Sequence, residues 1–291
     1  SGVSGGTLVI APGTYAVTAD FTVPSNTRIV GAGRRTLFTR SDDDVFVLAN
    51  STSNVVIENV RFTGTQTTTA SALVRAGNSC SSIMISDCVV DGAGRLFETG
   101  TGCTESVVKD CTSSSSREFV SLGSSSADCR IESCTITGGA SATDTILLDT
   151  CSDCRIVNCN IDVTSVDAIE LNTCSRVTVS DCNLDTTGSY PVHIDGGSDC
   201  TIIGNTVLGT SATSCIYLND GANFTVTGNS CTGTVALELD STVSESVITG
   251  NNLTASTGVG VNVSGDFMTI VGNQITSSTS SGINVTSTSG S

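Results

Sequence analysis

The chain has 291 residues, with 28 acidic side chains against 12 basic ones and a formal net charge of −16. Every Lys and Arg lies at or before Arg176, so the last 115 residues carry nine acids and no base. That excludes nucleic acid as a partner, because phosphate contacts need clustered cations. No apolar span or basic targeting run is present, so neither membrane insertion nor a signal peptide is expected.

In chain order, residues 1–50 read as irregular first coils, 51–285 as regular coils and 286–291 as a Ser, Thr and Gly tail, all in one domain. Arg28, Arg34, Arg35 and Arg40 form the one basic cluster, placed to pair with Asp42, Asp43 and Asp44. From Val60 onward one position recurs. Cys88, Cys111, Cys134, Cys159 and Cys182 follow one another at 23, 23, 25 and 23 residues, and Asn205, Asn229, Asn251 and Asn273 continue the column at 23, 24, 22 and 22. A period of this size means a solenoid.

One unit shows which solenoid. In Arg176–Leu184, Val177 and Val179 alternate with polar residues, a corner falls at Asp181-Cys182, and Leu184 points inward again. This is strand, bend, strand. A further strand precedes it, reading apolar, exposed, apolar, Asn or Asp, as in Ile169-Glu170-Leu171-Asn172 and Val192-His193-Ile194-Asp195. Such strands are too short to bury a core alone, but stacked in parallel they bury one continuous core. The prediction is an all-β, single-stranded parallel β-helix of 11–12 coils, right-handed from the chirality of parallel crossovers, with Cys and Asn ladders inside.

An inward Asn stacked on Asn passes a hydrogen bond from coil to coil, and Cys fills the same slot as a small polarisable residue. A second set sits eight residues earlier, at Cys80, Cys103, Cys151 and Cys174. For the 14 cysteines, disulfides are geometrically open to stacked residues, yet a column of five offers no unique pairing. Cys151-Ser152-Asp153-Cys154 lacks the second pair of a metal site. Packed, reduced thiols are the favoured reading, and they imply folding in a reducing cytosol. The start at Ser1-Gly2 and the Ser/Thr/Gly end suggest an excised piece whose solenoid ends are covered by other segments or partner subunits.

The opening Gly5-Gly6-Thr7-Leu8-Val9-Ile10-Ala11-Pro12-Gly13-Thr14-Tyr15, followed by Val23-Pro24-Ser25-Asn26-Thr27-Arg28-Ile29-Val30-Gly31-Ala32-Gly33, resembles the entry to pectate-lyase-like right-handed β-helices, phage tailspikes among them. The resemblance implies a right-handed β-helix, a polysaccharide partner and, by likeness to tailspikes, a homotrimer. It carries over no catalytic residue. The Asn-Thr-Asp, Gly-His-Gly and Arg-Ile-Lys elements of polygalacturonase-like hydrolases and the Asp-Pro-His-Asp element of uronan epimerases are absent.

The exposed position of the strand before the corner gives Leu147, Glu170, His193, Tyr217, Glu238, Gly260 and Asn284 in consecutive coils. Glu170, His193, Tyr217 and Glu238 thus form a candidate catalytic row, with His193 as base, Tyr217 as proton donor and a Glu as orienting or acid group. The same residues also suit ordinary solvent-facing neighbours. Asp149, Asn172, Asp195, Asn219, Asp240 and Asn262 read as a flanking row two places along, and Tyr190 as a further sugar-stacking residue beside Tyr217. Asn172, Asp195, Asn219, Asp240 and Tyr190 are the carbohydrate-binding candidates. No cofactor or metal is expected, the flanking row leaving room for at most a weak Ca²⁺ site because it lacks a loop of fixed spacing.

Three functions stay open: an extracellular or virion-surface attachment domain of the tailspike type that recognises polysaccharide and could cleave it, a stand-alone polysaccharide lyase or glycoside hydrolase, and a structural spacer. Fold alone does not choose among them.

Overall fold

The computed structural model describes residues 5–40, 43–64, 72–92, 94–114, 118–138, 144–164, 167–277 and 279–286. Each coil contributes three short strands, all paired in parallel with the coils before and after. The first wall is a twelve-stranded sheet running from Thr7–Val9 through Arg155–Val157 and Thr178–Ser180 to Thr269–Val271. The second wall follows the corner, as in Val89–Gly92 and Asn160–Val163, and the third contains Arg95–Thr99, Ile146–Asp149, Asp167–Ser175 and Tyr190–Ser198. Second and third walls merge into one sheet where Thr206–Ala222 and Ser230–Ser244 run through the bend between them. Coiling is already established in the first 50 residues, where Thr7–Val9 pairs with Thr27–Val30 and Gly13–Ala16 with Thr36–Arg40 around a single 3₁₀ turn at Gly33–Arg35.

Register is held for the length of the molecule. Ile131, Ile156, Val179, Ile202, Val226, Ile248 and Ile270 lie over one another in the first wall. All but the last are buried, which is what alternation with outward polar residues demands.

The corner has a local cause. The residue before each ladder position adopts left-handed backbone: Asn59, Asp87, Asp110, Ser133, Asn158 and Asp181 at φ 53–57°, then Gly204, Gly228, Gly250 and Gly272 at φ 65–69°. Asn, Asp and Gly enter this region at least cost. After the bend, Cys and Asn make the same two contacts. Cys182 Sγ donates to Ser180 O at 3.2 Å and Ile156 O at 3.8 Å, and Asn251 Nδ2 donates to Thr249 O at 3.2 Å and Val226 O at 2.9 Å. Asn adds an acceptor: Asn229 Oδ1 takes the Asn205 backbone N–H at 2.9 Å and Asn205 Nδ2 at 3.0 Å, and the pattern repeats to Asn273. The two residue types therefore interchange because both satisfy the carbonyls that the corner exposes.

All 14 cysteines are buried and unpaired. Besides the two columns legible in the sequence, a third comprises Cys129, Cys154 and Cys200, each again directly after a left-handed residue. Arg40 pairs with Asp43 at 2.7 Å, as the basic cluster suggested, and also with Asp20 at 2.7 Å, while Arg28 turns to Glu58. Asp42 and the tail from 287 onward lie outside the described residues. Among the described residues no helix is long and apolar enough to cross a membrane.

Candidate functional site

The third wall carries an outward row in strict register: Arg75, Glu98, Ser121, Leu147, Glu170, His193, Tyr217, Glu238, Asn262 and Asn284. Glu170, His193, Tyr217 and Glu238 stand side by side on it. One expected member is displaced: Asn262, not Gly260, follows Glu238. Val259, Val261 and Val263 alternate, so two pairs could enter the core; the fold buries Val261 and Val263, and Gly260 falls at the preceding bend.

The flanking row is continuous only as far as Asp149, Asn172 and Asp195. Beyond it Asp195 pairs with Asp220, and Asp220 with Thr242, so Asn219 and Asp240 lie in bulges. Gly197 sits in this distortion at φ 117°, where an added Cβ would meet Cys174 O at 1.9 Å, so only glycine fits. A bulge re-aims side chains, and here it turns two of them onto Tyr217. The Tyr217 hydroxyl donates to Asn219 Oδ1 at 2.8 Å and lies 3.2 Å from Asp240 Oδ2, while Asn219 Nδ2 donates to Asp195 Oδ1 at 2.6 Å. Burial first, then Asp240, raises the Tyr217 pKa above the usual phenol range, so its proton is firmly held.

Three rings form a stack. Tyr190 and Tyr217 centroids are 4.8 Å apart at 29°, His193 and Tyr217 5.3 Å at 17°, and Tyr190 and His193 5.0 Å at 45°. Tyr190, read from sequence as a sugar-stacking residue or a turn residue, is thus part of an aromatic cluster.

His193 is oriented by an acid that the sequence reading missed. Asp167, with a side chain only 5% exposed, places Oδ2 2.9 Å from His193 Nδ1 and accepts the Tyr190 backbone N–H on Oδ1 at 2.9 Å. The tautomer that satisfies this contact has the proton on Nδ1. Among the described residues Nε2 is buried without a hydrogen-bond partner. Neither Glu170 nor Glu238 plays the orienting part. Glu238 accepts from Ser214 Oγ and, at 3.3 Å, from Asn262 Nδ2. Glu170 shares a hydrogen bond with Asp144; that bond, burial and the charges of Asp144, Asp167 and Asp195 push its carboxyl up to about 8.

Asp144 and Asp167 belong to a second row, three residues before the first, that also holds Asp44, Ala72, Arg95, Glu118, Tyr190 and Ser214. Here the strand bends, with Ala168 and Ile169 both buried, so an i−3 residue faces outward beside its partner. One oxygen from each of Asp144, Asp167 and Glu170 lies within 4.8 Å of the others, a set that could hold a cation.

A family model described as "Right handed beta helix region" matches residues 45–207 and 144–291. The chain belongs to the right-handed β-helix family. Solved structures similar to this β-helix include the A-module of the Azotobacter vinelandii mannuronan C-5 epimerase AlgE4, at 14% identity and TM-score 0.59, covering 95% of this chain and 91% of that one. The periplasmic alginate epimerase AlgG is similar at 11% identity and TM-score 0.65, covering 93% and 84%. ORF18 of Geobacillus virus E2 is similar at 13% and TM-score 0.53, covering 97% of this chain and 54% of that one. No curated protein matches the sequence. At these identities the likeness concerns the fold alone.

Proposed function

We propose that the third-wall face from Glu170 to Glu238 binds polysaccharide, and that the β-helix serves as an extracellular or virion-surface attachment domain. The observation that carries this reading is the stack of Tyr190, Tyr217 and His193 on an outward wall. Sugar rings pack on such faces, and Asp195, Asn219 and Asp240 beside them offer hydroxyl partners. The alginate and mannuronan epimerases and the phage protein on the same fold are in keeping with it. Exposed Leu8 and Phe21 at one end of the solenoid, and Phe267 and Val285 at the other, support covered ends, as in a homotrimer or under other segments.

A second reading, cleavage of the bound glycan, is favoured by one specific feature. Asp167 holds the His193 ring through Nδ1, and Nε2 has no hydrogen-bond partner among the described residues. A base next to a phenol that keeps its proton suits elimination or hydrolysis. A glycan array combined with a reducing-end assay tests both: cleavage selects an enzyme, retention without cleavage an adhesin, and silence on both a spacer. Replacing His193 and Tyr217 together by Ala is expected to abolish binding or turnover while far-UV circular dichroism stays unchanged. Undiminished binding by that double variant refutes the site.

A further inference from the structure

The outward face of the first wall changes character at Thr178. In the coils just before it the outward positions are mostly charged: Lys109, Arg130, Glu132 and Arg155 occupy them, and Arg130 pairs with Glu132 at 2.6 Å. From Thr178 onward one outward column reads Thr178, Thr201, Thr225, Val247 and Thr269. The column beside it reads Ser180, Ile203, Thr227, Thr249 and Val271. These ten positions hold six Thr, one Ser, two Val and one Ile, and no charge, in a chain whose net charge is −16. Its aliphatic members stand in solvent, with Ile203 40%, Val247 38% and Val271 59% exposed. Among the described residues the six threonine hydroxyls bond no other protein group, so they too are given to water. The inward residues between the columns, Val179, Ile202, Val226 and Ile248, are buried and fix the array to the core.

We infer that this face binds ice, its two columns holding water in the arrangement of a crystal surface. Stacked parallel strands set the residues of one column about 4.8 Å apart, and two columns two residues apart along the strand lie about 6.6 Å from each other. Tetrahedral water with an O···O distance of about 2.75 Å repeats at about 4.5 Å in one direction and about 7.3 Å in the perpendicular one. The two lattices agree to about a tenth both ways. The array is also regular: none of its four strand pairings carries a register shift, unlike those of the third wall at Asp195 and Asp220. Side-chain ladders keep a sheet flat, and the ladder from Asn205 to Asn273 runs through these same coils. Thr, Val and Ile are stiff at χ1, so little freedom is lost when water settles on them. Methyl groups order the first water shell, hydroxyls anchor it, and no ammonium or carboxylate imposes its own hydration. A protein partner fits this face less well, because interfaces draw their strength from Trp, Tyr and Arg, with Thr and Val under-represented. The first wall is separate from the glycan face, so ice binding stands or falls independently of that reading.

The test grows a single ice crystal slowly in a dilute solution of the full chain and compares protein concentration in the melted crystal with that in the remaining liquid. The chain is expected to be enriched in the ice, and crystals held just below the melting point should become faceted and stop growing. In T201K/T225K, which places two ammonium groups in adjacent coils of the first wall, both effects should be lost. T232K/T254K makes the same substitutions in adjacent coils of the second wall and should retain them. Far-UV circular dichroism should be unchanged in both; were the first variant to unfold, T201S/T225S, which keeps the hydroxyls and removes two methyls, takes its place with the same expected loss. Exclusion of the unmodified chain from the ice, with crystals that stay round, overturns the inference whatever the variants do. Undiminished enrichment of the first-wall variant, or equal loss in the variants of both walls, overturns it as well. An oligomer in sedimentation velocity that T201K/T225K alone disperses would assign the face to a second copy of the chain and also overturn the inference.

Discussion

Replacing Asn229 by Ala removes the middle of the asparagine ladder, and its cost can be worked from the contacts. Asn229 is 1% exposed, so no water replaces what is lost. Its Oδ1 is the acceptor for the Asn205 backbone N–H at 2.9 Å, and its Nδ2 donates to Ile202 O at 2.9 Å and Asn251 Oδ1 at 3.0 Å. The truncation orphans one buried N–H, at about 1–3 kcal/mol, and deletes further buried hydrogen bonds worth about 1 kcal/mol each. The sum is roughly 3–5 kcal/mol. Asn229→Cys should cost less, about 1–3 kcal/mol, because Sγ reaches the same carbonyls in the earlier coils and only the acceptor disappears. Guanidinium denaturation followed by far-UV circular dichroism gives the two costs. Amide exchange gives the local effect, with the Asn205 N–H losing protection first, since solenoid coils couple to nearest neighbours. A loss below about 1 kcal/mol for the alanine variant, or an Asn205 amide as protected as before, would refute the ladder argument.

Further outcomes follow from the same contacts. Glu170 is raised to about 8, so between the ordinary carboxyl value of 4.5 and 8 the folded chain holds a proton that the unfolded chain has released. Its contribution is therefore full below about pH 4.5 and lost as pH rises through 8, and the melting temperature should fall over that window. Glu170→Gln should flatten the slope in part only, because Asp44 and Glu118 are raised in the same direction by burial; an unchanged slope contradicts the assignment. Since His193 is the one histidine of the chain, ¹⁵N spectra of histidine-labelled protein should show a single ring with a proton on Nδ1, and Asp167→Asn should redistribute the tautomers. A ring protonated on Nε2 in the native protein contradicts the pairing. All 14 thiols are buried, out of reach of a bulky reagent. An aromatic disulfide reagent should accordingly titrate almost no thiol in the native protein and all 14 in denaturant; rapid native reaction would contradict the packed columns.

The fold was legible because its signals repeat. A ladder residue after a corner recurs in ten coils, so even Ser133 at one bend does not hide the period. Glu170, His193, Tyr217 and Glu238 were legible for the same reason, as they hold one place in an alternating strand. The Cys129, Cys154 and Cys200 column was obscured because Ile83, Ser106, Val177 and Phe224 occupy the same position in other coils. Asp167 and Asp144 escaped because alternation breaks where Ala168 and Ile169 are both buried, and a reading with period two assigns an i−3 residue to the opposite face. A signal existed in Arg95, Glu118, Asp144 and Asp167, charged residues three places before Glu98, Ser121, Leu147 and Glu170. The slip at Asn262 arose from three equally spaced valines, between which only packing decides.

The most direct test of the central claim uses the absence of tryptophan. Emission from the chain comes from Tyr15, Tyr190 and Tyr217 alone, and only the last two belong to the stack. Titrating the glycan retained by the array should change tyrosine emission saturably, with the midpoint found by calorimetry, and Tyr190→Ala/Tyr217→Ala should lose both the change and the affinity. Binding of undiminished strength in that double variant would contradict the account.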